Sequence, residues 1–187
     1  MRKLIFGINV TIDGNCDHTK GIADDEVHEY YADLMRDADT IVYGRKTYQL
    51  MVPFWPDMAR HRSGPTKAVN DFAQAFDSVK SIVVFSRSLD SATDADKTRI
   101  VRGNLQDEVL KLKQEEGKAI STGGVDIPSQ LIELGLVDEY RIVVHPILAG
   151  EGRRLLVDVK LPEIRQLKLA ESKTFTSGHV ALRYLSQ

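Results

Sequence analysis

The chain has 187 residues, a formal net charge of -2, and 42% hydrophobic and 28% charged residues. That length and balance suit a single soluble globular domain spanning residues 1–187. The near-neutral charge leaves neither a basic footprint for nucleic acid nor a polybasic membrane patch. Cys16 is the one cysteine, so an intrachain disulfide is excluded and no Cys/His cluster offers a metal site. A reducing, cytoplasmic setting is the expectation. The opening residues lead into an apolar stretch of about seven, shorter than a signal peptide needs. No segment approaches the ~20 apolar residues of a membrane span.

Short apolar runs alternate with helix-period segments along the chain, the mark of an α/β layer structure. Lys3 to Ile12 reads as a strand, ended by the turn residues Asp13-Gly14-Asn15. Asp24 to Asp37 reads as a helix: Asp24 and Asp25 suit its positive end, and Val27, Tyr31 and Leu34 share one face. Thr40 to Tyr43 is a short buried strand, broken by Gly44, and Arg45 to Met51 is a helix. Pro53 to Pro65, Pro-rich and aromatic, reads as a loop, and Thr66 to Phe76 as a helix. Ser81 to Phe85 and Ile100-Val101 are strands. Leu105, Val109 and Leu112 mark a helical face, with Gly117 beyond it as a stop. A further strand at Ala119 to Ser121 precedes the Thr122-Gly123-Gly124 turn and a helical face of Ile127, Leu131 and Leu134, with Gly135 as its cap. Tyr140 to Val144 is the next strand and Pro146 to Arg153 a loop. Strands at Gln166 to Phe175 and His179 to Leu185, joined by Ser177-Gly178, make an antiparallel hairpin.

This order implies a mostly parallel sheet with flanking helices and an antiparallel edge. Ligands in such sheets bind beyond the carboxyl ends of the strands. Four turns follow strands there: Asp13-Gly14, Gly44 to Thr47, Ser86-Arg87 and Thr122 to Gly124. Glycine at a strand-to-helix junction lets backbone N–H groups approach a ligand, and a helix start favours anions. Arg45 and Arg87 add planar forks suited to phosphate oxygens. The fingerprint Gly-x-Gly-x-x-Gly does not follow the first strand, which disfavours a standard Rossmann site.

The segments Thr11 to Gly14, Ile41 to Tyr48, Val84 to Leu89, Ser121 to Gly124 and Leu136 to Gly152, in this order, resemble the reductase family of dihydrofolate reductases. The resemblance is strongest to the C-terminal reductase domain of the bacterial riboflavin-biosynthesis deaminase/reductase. It implies a dihydrofolate-reductase-like α/β fold and an NADPH-dependent oxidoreductase acting on a flat nitrogen heterocycle. The first substrate it implies is 5-amino-6-(5-phosphoribosylamino)uracil, with dihydrofolate as the alternative. A non-catalytic NADPH or nucleotide sensor is the reading from another class. By the same resemblance, Gly44, Arg45, Lys46 and Thr47 would hold cofactor phosphates, Ser86 and Arg87 the 2′-phosphate, and Thr122, Gly123 and Gly124 the pyrophosphate. Gly150, Glu151 and Gly152 would border the nicotinamide or substrate cleft, and Arg153, Arg154 or Lys46 would meet a substrate phosphate.

The proton that must accompany a transferred hydride needs an acid or a bound water. Asp13 is the first candidate, His28 and Glu29 the next. Asp13 equally suits a plain turn, and His28 a helix surface or core position. Asn15 to Gly21 stands where dihydrofolate reductases carry a Trp-bearing loop, and a single cysteine excludes a zinc deaminase domain in this chain. The late hairpin offers an edge for a homodimer.

Overall fold

A computed structural model describes residues 1–93, 96–157, 159 and 161–187. In chain order the elements are β1 (Leu4–Thr11), α1 (Asp25–Asp37), β2 (Ala38–Gly44), α2 (Arg45–Met51), α3 (Phe54–His61), α4 (Lys67–Asp77) and β3 (Ser81–Phe85). There follow β4 (Thr98–Val101), α5 (Leu105–Gln114), β5 (Ala119–Thr122), α6 (Asp126–Glu133), β6 (Glu139–His145), β7 (Leu167–Thr174) and β8 (Val180–Ser186). All strands join one sheet in the order β4-β3-β2-β5-β1-β6-β8-β7. The strands from β4 to β6 pair in parallel, and only β8 runs against its neighbours.

Alternation along the strands builds a core on each face. Leu4, Phe6, Ile8, Val42, Val83 and Ile120 point to the side covered by α5 and α6, where they meet Val109, Leu112 and Leu131. Ile5, Ile41, Tyr43, Ile82 and Val84 point to the other side and meet Leu34 of α1, Tyr48 of α2 and Phe72 and Phe76 of α4. Strands buried on both faces read as continuous apolar runs, which is why β2 and β3 stand out in the sequence.

One expectation needs correction, and the late hairpin is borne out. The Pro53 to Pro65 loop contains a helix, α3. Pro53 and Pro56 occupy its cap and first turn, where the missing N–H groups have no intrahelical partner to lose. The late hairpin forms at Ser177-Gly178, with Gly178 at φ +88°. β8 is inserted between β6 and β7, and β7 forms the edge.

Candidate functional site

A cavity of about 1150 Å³ opens at the carboxyl ends of the parallel strands. Thr11 of β1, Gly44 of β2, Phe85 of β3, Thr122 of β5 and His145 of β6 all line it. This is the position the sheet topology requires. A second cavity of about 490 Å³ adjoins it and shares Phe85 and Ile127 with the first.

One wall is made by two glycine turns. Gly44 through Thr47 and Thr122 through Gly124 line the main cavity together, from the neighbouring strands β2 and β5. Gly124 has φ +82°, and a methyl group built on it would overlap Thr47 Oγ1. The two turns therefore touch. The helices that start here, α2 and α6, have no side-chain cap. By contrast, Asp24, Thr66 and Asn104 cap α1, α4 and α5. The uncapped first N–H groups at the cavity are left for a ligand. α2 is only seven residues long, so side-chain charge must carry more of any anion binding than a helix dipole. Arg45 and Lys46 are exposed, and neither forms an ion pair among the described residues.

The smaller cavity holds Ser86, Arg87, Arg102, Asn104, Gln106 and Gln130, and no acidic residue lines it among those described. The Ser86 hydroxyl accepts from the Ser88 and Leu89 amides at 3.2 and 3.0 Å, leaving its own hydrogen free to donate. Arg102 donates to the Leu89 carbonyl at 2.9 Å. Two arginines beside a hydroxyl, with no carboxylate opposing them among the described residues, have the chemistry to hold an anion such as a phosphate monoester.

The opposite wall is aromatic. Trp55 packs edge-on against Phe72 and Phe54, with ring centroids 4.5 and 4.9 Å apart. His28 lies against Trp55 and Phe72 at 6.1 Å from each. Its Nδ1 is 2.7 Å from the Asp24 carbonyl. A carbonyl only accepts, so Nδ1 carries hydrogen and Nε2 is the nitrogen left open.

Of the three acid candidates, His28 lines the cavity, whereas Asp13 and Glu29 do not. Asp13 is turned to the 146–153 loop. Its carboxylate accepts from the Ala149 and Gly150 amides at 3.1 and 2.7 Å and from the Thr11 hydroxyl at 2.5 Å. These bonds, Thr11's first, hold its pKa at about 2. Asp13 is thus a clamp for the loop rather than a proton donor at the cavity. Ile12 donates to the Ile147 carbonyl, Asn15 Nδ2 to the Glu151 carbonyl and the Cys16 amide to the Arg153 carbonyl, completing a zipper between the two loops. Glu29 is exposed on the far side of α1.

Gly150 and Gly152 belong to this zipper and do not line the cavity. Gly152, at φ +138°, lies too close to Asn15 to carry a side chain. What the zipper brings to the cavity is Asn15, Cys16 and Arg153. Of Arg153, Arg154 and Lys46, Arg153 is paired with Asp126, Arg154 lines neither cavity, and Lys46 lines the main cavity without an ion pair among the described residues. Sequence reasoning gave no role to Arg102, Asn9, Tyr31 or His145, all of which line the cavities. For Arg102 the signal was present: it follows a strand, as Arg87 does.

Strand order and cavity position define a dihydrofolate-reductase-like α/β domain with its binding site at the carboxyl end of the sheet. Solved structures with this fold include a putative riboflavin biosynthesis protein from Shewanella sp. PV-4, with a TM-score of 0.73, 20% identity and 99% of each chain covered. A pyrimidine reductase-like protein from Corynebacterium diphtheriae superposes with a TM-score of 0.66 at 15% identity, over 100% of this chain and 92% of that one. RibD of Acinetobacter baumannii matches with a TM-score of 0.69 at 13% identity, this chain spanning 58% of its length. The model of the RibD C-terminal domain matches residues 2–181. The chain belongs to that family of reductase domains. It is also 32% identical to the uncharacterized protein YyaP of Bacillus subtilis, over 98% of this chain and 94% of that protein.

Proposed function

We propose that the protein is an NADPH-dependent reductase of a flat nitrogen heterocycle, of the riboflavin-pathway type that takes 5-amino-6-(5-phosphoribosylamino)uracil. The observation that carries this reading is the pair of adjoining cavities: an aromatic cavity walled by two uncapped glycine turns, beside a cavity lined by Arg87 and Arg102 with no acidic residue among those described. The residues fit the cofactor on both counts. Glycine at 124 lets the two turns touch, since a side chain there would overlap Thr47, and Arg45, Lys46, Arg87 and Arg102, which line the two cavities, form no ion pair among the described residues.

Gly44 through Thr47 and Thr122 through Gly124 would hold the pyrophosphate, and Ser86, Arg87 and Arg102 the 2′-phosphate that separates NADPH from NADH. When bound, the nicotinamide supplies a hydride. The chain's own task is position, exclusion of water and a proton. Trp55, Phe72 and Tyr43 would keep the reacting ring dry. His28 would release a proton from Nε2 while its Nδ1 stays bonded to the Asp24 carbonyl, so the ring need not reorient. A homodimer joined through the exposed β7 edge accompanies this reading, and a monomer in sedimentation would remove it.

The test is a fluorescence titration with NADPH and NADH, followed by NADPH oxidation with the phosphoribosylaminouracil and with dihydrofolate. Tight NADPH binding, weak NADH binding and oxidation with the pyrimidine are expected. Binding without turnover on any heterocycle would move the protein to the sensor class. Equal affinity for both dinucleotides would refute the 2′-phosphate assignment.

A further inference from the structure

Three buried polar atoms without a hydrogen-bond partner belong to residues of the main cavity: Asn9 Oδ1, the Tyr31 hydroxyl and His145 Nε2. Native interiors satisfy nearly all such groups, so each unpaired one calls for an explanation. Asn9 and His145 lie on the adjacent parallel strands β1 and β6. Asn9 is in register with Val143 and Thr11 with His145. Two residues along a strand return to the same face, so Asn9 and His145 are diagonal neighbours on one side of the sheet.

The hydrogen on His145 can be located. His145 is 1% exposed, and its Nδ1 lies 3.1 Å from Nε2 of His179, the buried residue just before β8. That His179 nitrogen is also 3.0 Å from the Ile22 carbonyl. A carbonyl has no hydrogen to give, so His179 Nε2 must carry one, which it presents to both Ile22 and His145. His145 Nδ1 is then the acceptor, and the one hydrogen of neutral His145 sits on Nε2. At the far side of His179, Nδ1 is 2.7 Å from Ser177 Oγ and 3.4 Å from the Asp24 carboxylate. Burial and the neighbouring His179 both favour the neutral form of His145, lowering its pKa.

We infer that His145 Nε2–H and Asn9 Oδ1 form a donor–acceptor pair that reads a lactam edge, a ring carbonyl beside a ring N–H, on the heterocycle. His179 acts through His145 as a positioning residue that fixes its tautomer. A lactam edge offers one acceptor and one donor side by side, the complement of what the cavity leaves unpaired. This rests on the proposed reductase reading and names the part of the substrate it recognises. A site built to bond such an edge discriminates strongly against a ring that lacks it, because its own polar groups would stay unpaired.

The probes are 5,6-diaminouracil, which has lactam edges, and 4,5-diaminopyrimidine, which has none. In 15N-labelled protein, long-range correlations should show His145 in the Nε2–H form, and diaminouracil should shift its Nε2 resonance. His145→Phe should weaken diaminouracil binding at least tenfold and leave diaminopyrimidine and NADPH binding within about twofold, which also shows that the variant is folded. His179→Phe should mix the His145 tautomers, and His179→Gln, whose amide can donate to both Ile22 and His145, should restore the Nε2–H form. Wild-type protein that fails to bind NADPH sinks the reductase reading. Normal NADPH binding with His145 in the Nδ1–H form, or with no diaminouracil preference over His145→Phe, sinks this inference alone.

Discussion

Replacing Gly124 with alanine tests the contact on which the phosphate wall depends. Gly124 has φ +82°, and its added methyl group would overlap Thr47 Oγ1 and come within 3.3 Å of Thr47 Cβ. The left-handed backbone alone costs a non-glycine residue roughly 1–2 kcal/mol, and forcing a methyl into an occupied space adds about 1–3 kcal/mol. Gly124→Ala should therefore destabilise the fold by roughly 2–5 kcal/mol in urea denaturation. In a Thr47→Ala background the overlap with the hydroxyl is gone and only the backbone cost remains, so the same change should cost about 1–2 kcal/mol. The coupling between the two sites is the measured quantity. NADPH affinity should fall at least tenfold in Gly124→Ala, about 1.4 kcal/mol, because the turn must move away from Thr47 to make room. A cost below 1 kcal/mol with unchanged affinity, or a cost the Thr47 background does not reduce, would refute the idea that these two turns form one clasp.

Arg87→Ala and Arg102→Ala should each weaken NADPH about tenfold, as expected for loss of a charge-assisted contact, while NADH affinity stays within twofold; isothermal titration with both dinucleotides reads this directly. Asp13→Asn should loosen the 146–153 loop, measured as faster amide exchange at Ala149 and Gly150, and should leave the kcat–pH profile unchanged, because Asp13 does not line the cavity. The folded Asp13 pKa is depressed to about 2, so its clamp is fully present above the ordinary carboxylate range and is lost as pH falls toward 2; exchange at those amides in wild-type protein should accelerate over that interval. Glu139 is 1% exposed and accepts from Arg141 Nε and Arg183 Nε, both at 2.8 Å. Burial opposes its charge, yet the two arginines hold its pKa below normal. Glu139→Ala should thus cost about 1.5–3 kcal/mol by removing the acceptor that the two arginines share. In wild-type protein that contribution should decline as denaturation is followed below pH 4.5.

Much of the architecture is legible because two periodicities are. The two-residue alternation in β1 and the apolar runs of β2 and β3 mark strands, and Val27, Tyr31 and Leu34 mark α1, because one covalent geometry sets side-chain direction in each case. Helix α3 was hidden because proline reads as a break, although a first turn accepts it. The inner position of β8 was hidden because strand order depends on long-range pairing that no local pattern encodes. Candidate residues divide along the same line. Gly44 through Thr47 and Thr122 through Gly124 reach the cavity because strand ends in a parallel sheet must gather on one side. Asp13 sits at such an end and is nonetheless taken up by the 149–150 amides, a partnership between residues 136 and 137 positions apart.

The order of residues by itself determined most of the strands and helices, that the sheet is mainly parallel, and at which end of it the strand-to-helix turns gather, since backbone geometry and burial act through neighbours a few positions apart. Only the folded chain decided which side chains are free to do chemistry. Asp13 is bound up in a loop, His28 is open at one nitrogen, and His145 receives its tautomer from a residue 34 positions away. The reason is that a side chain's proton and partners are set by what lies within about 3 Å of it, and that neighbourhood is assembled from distant segments.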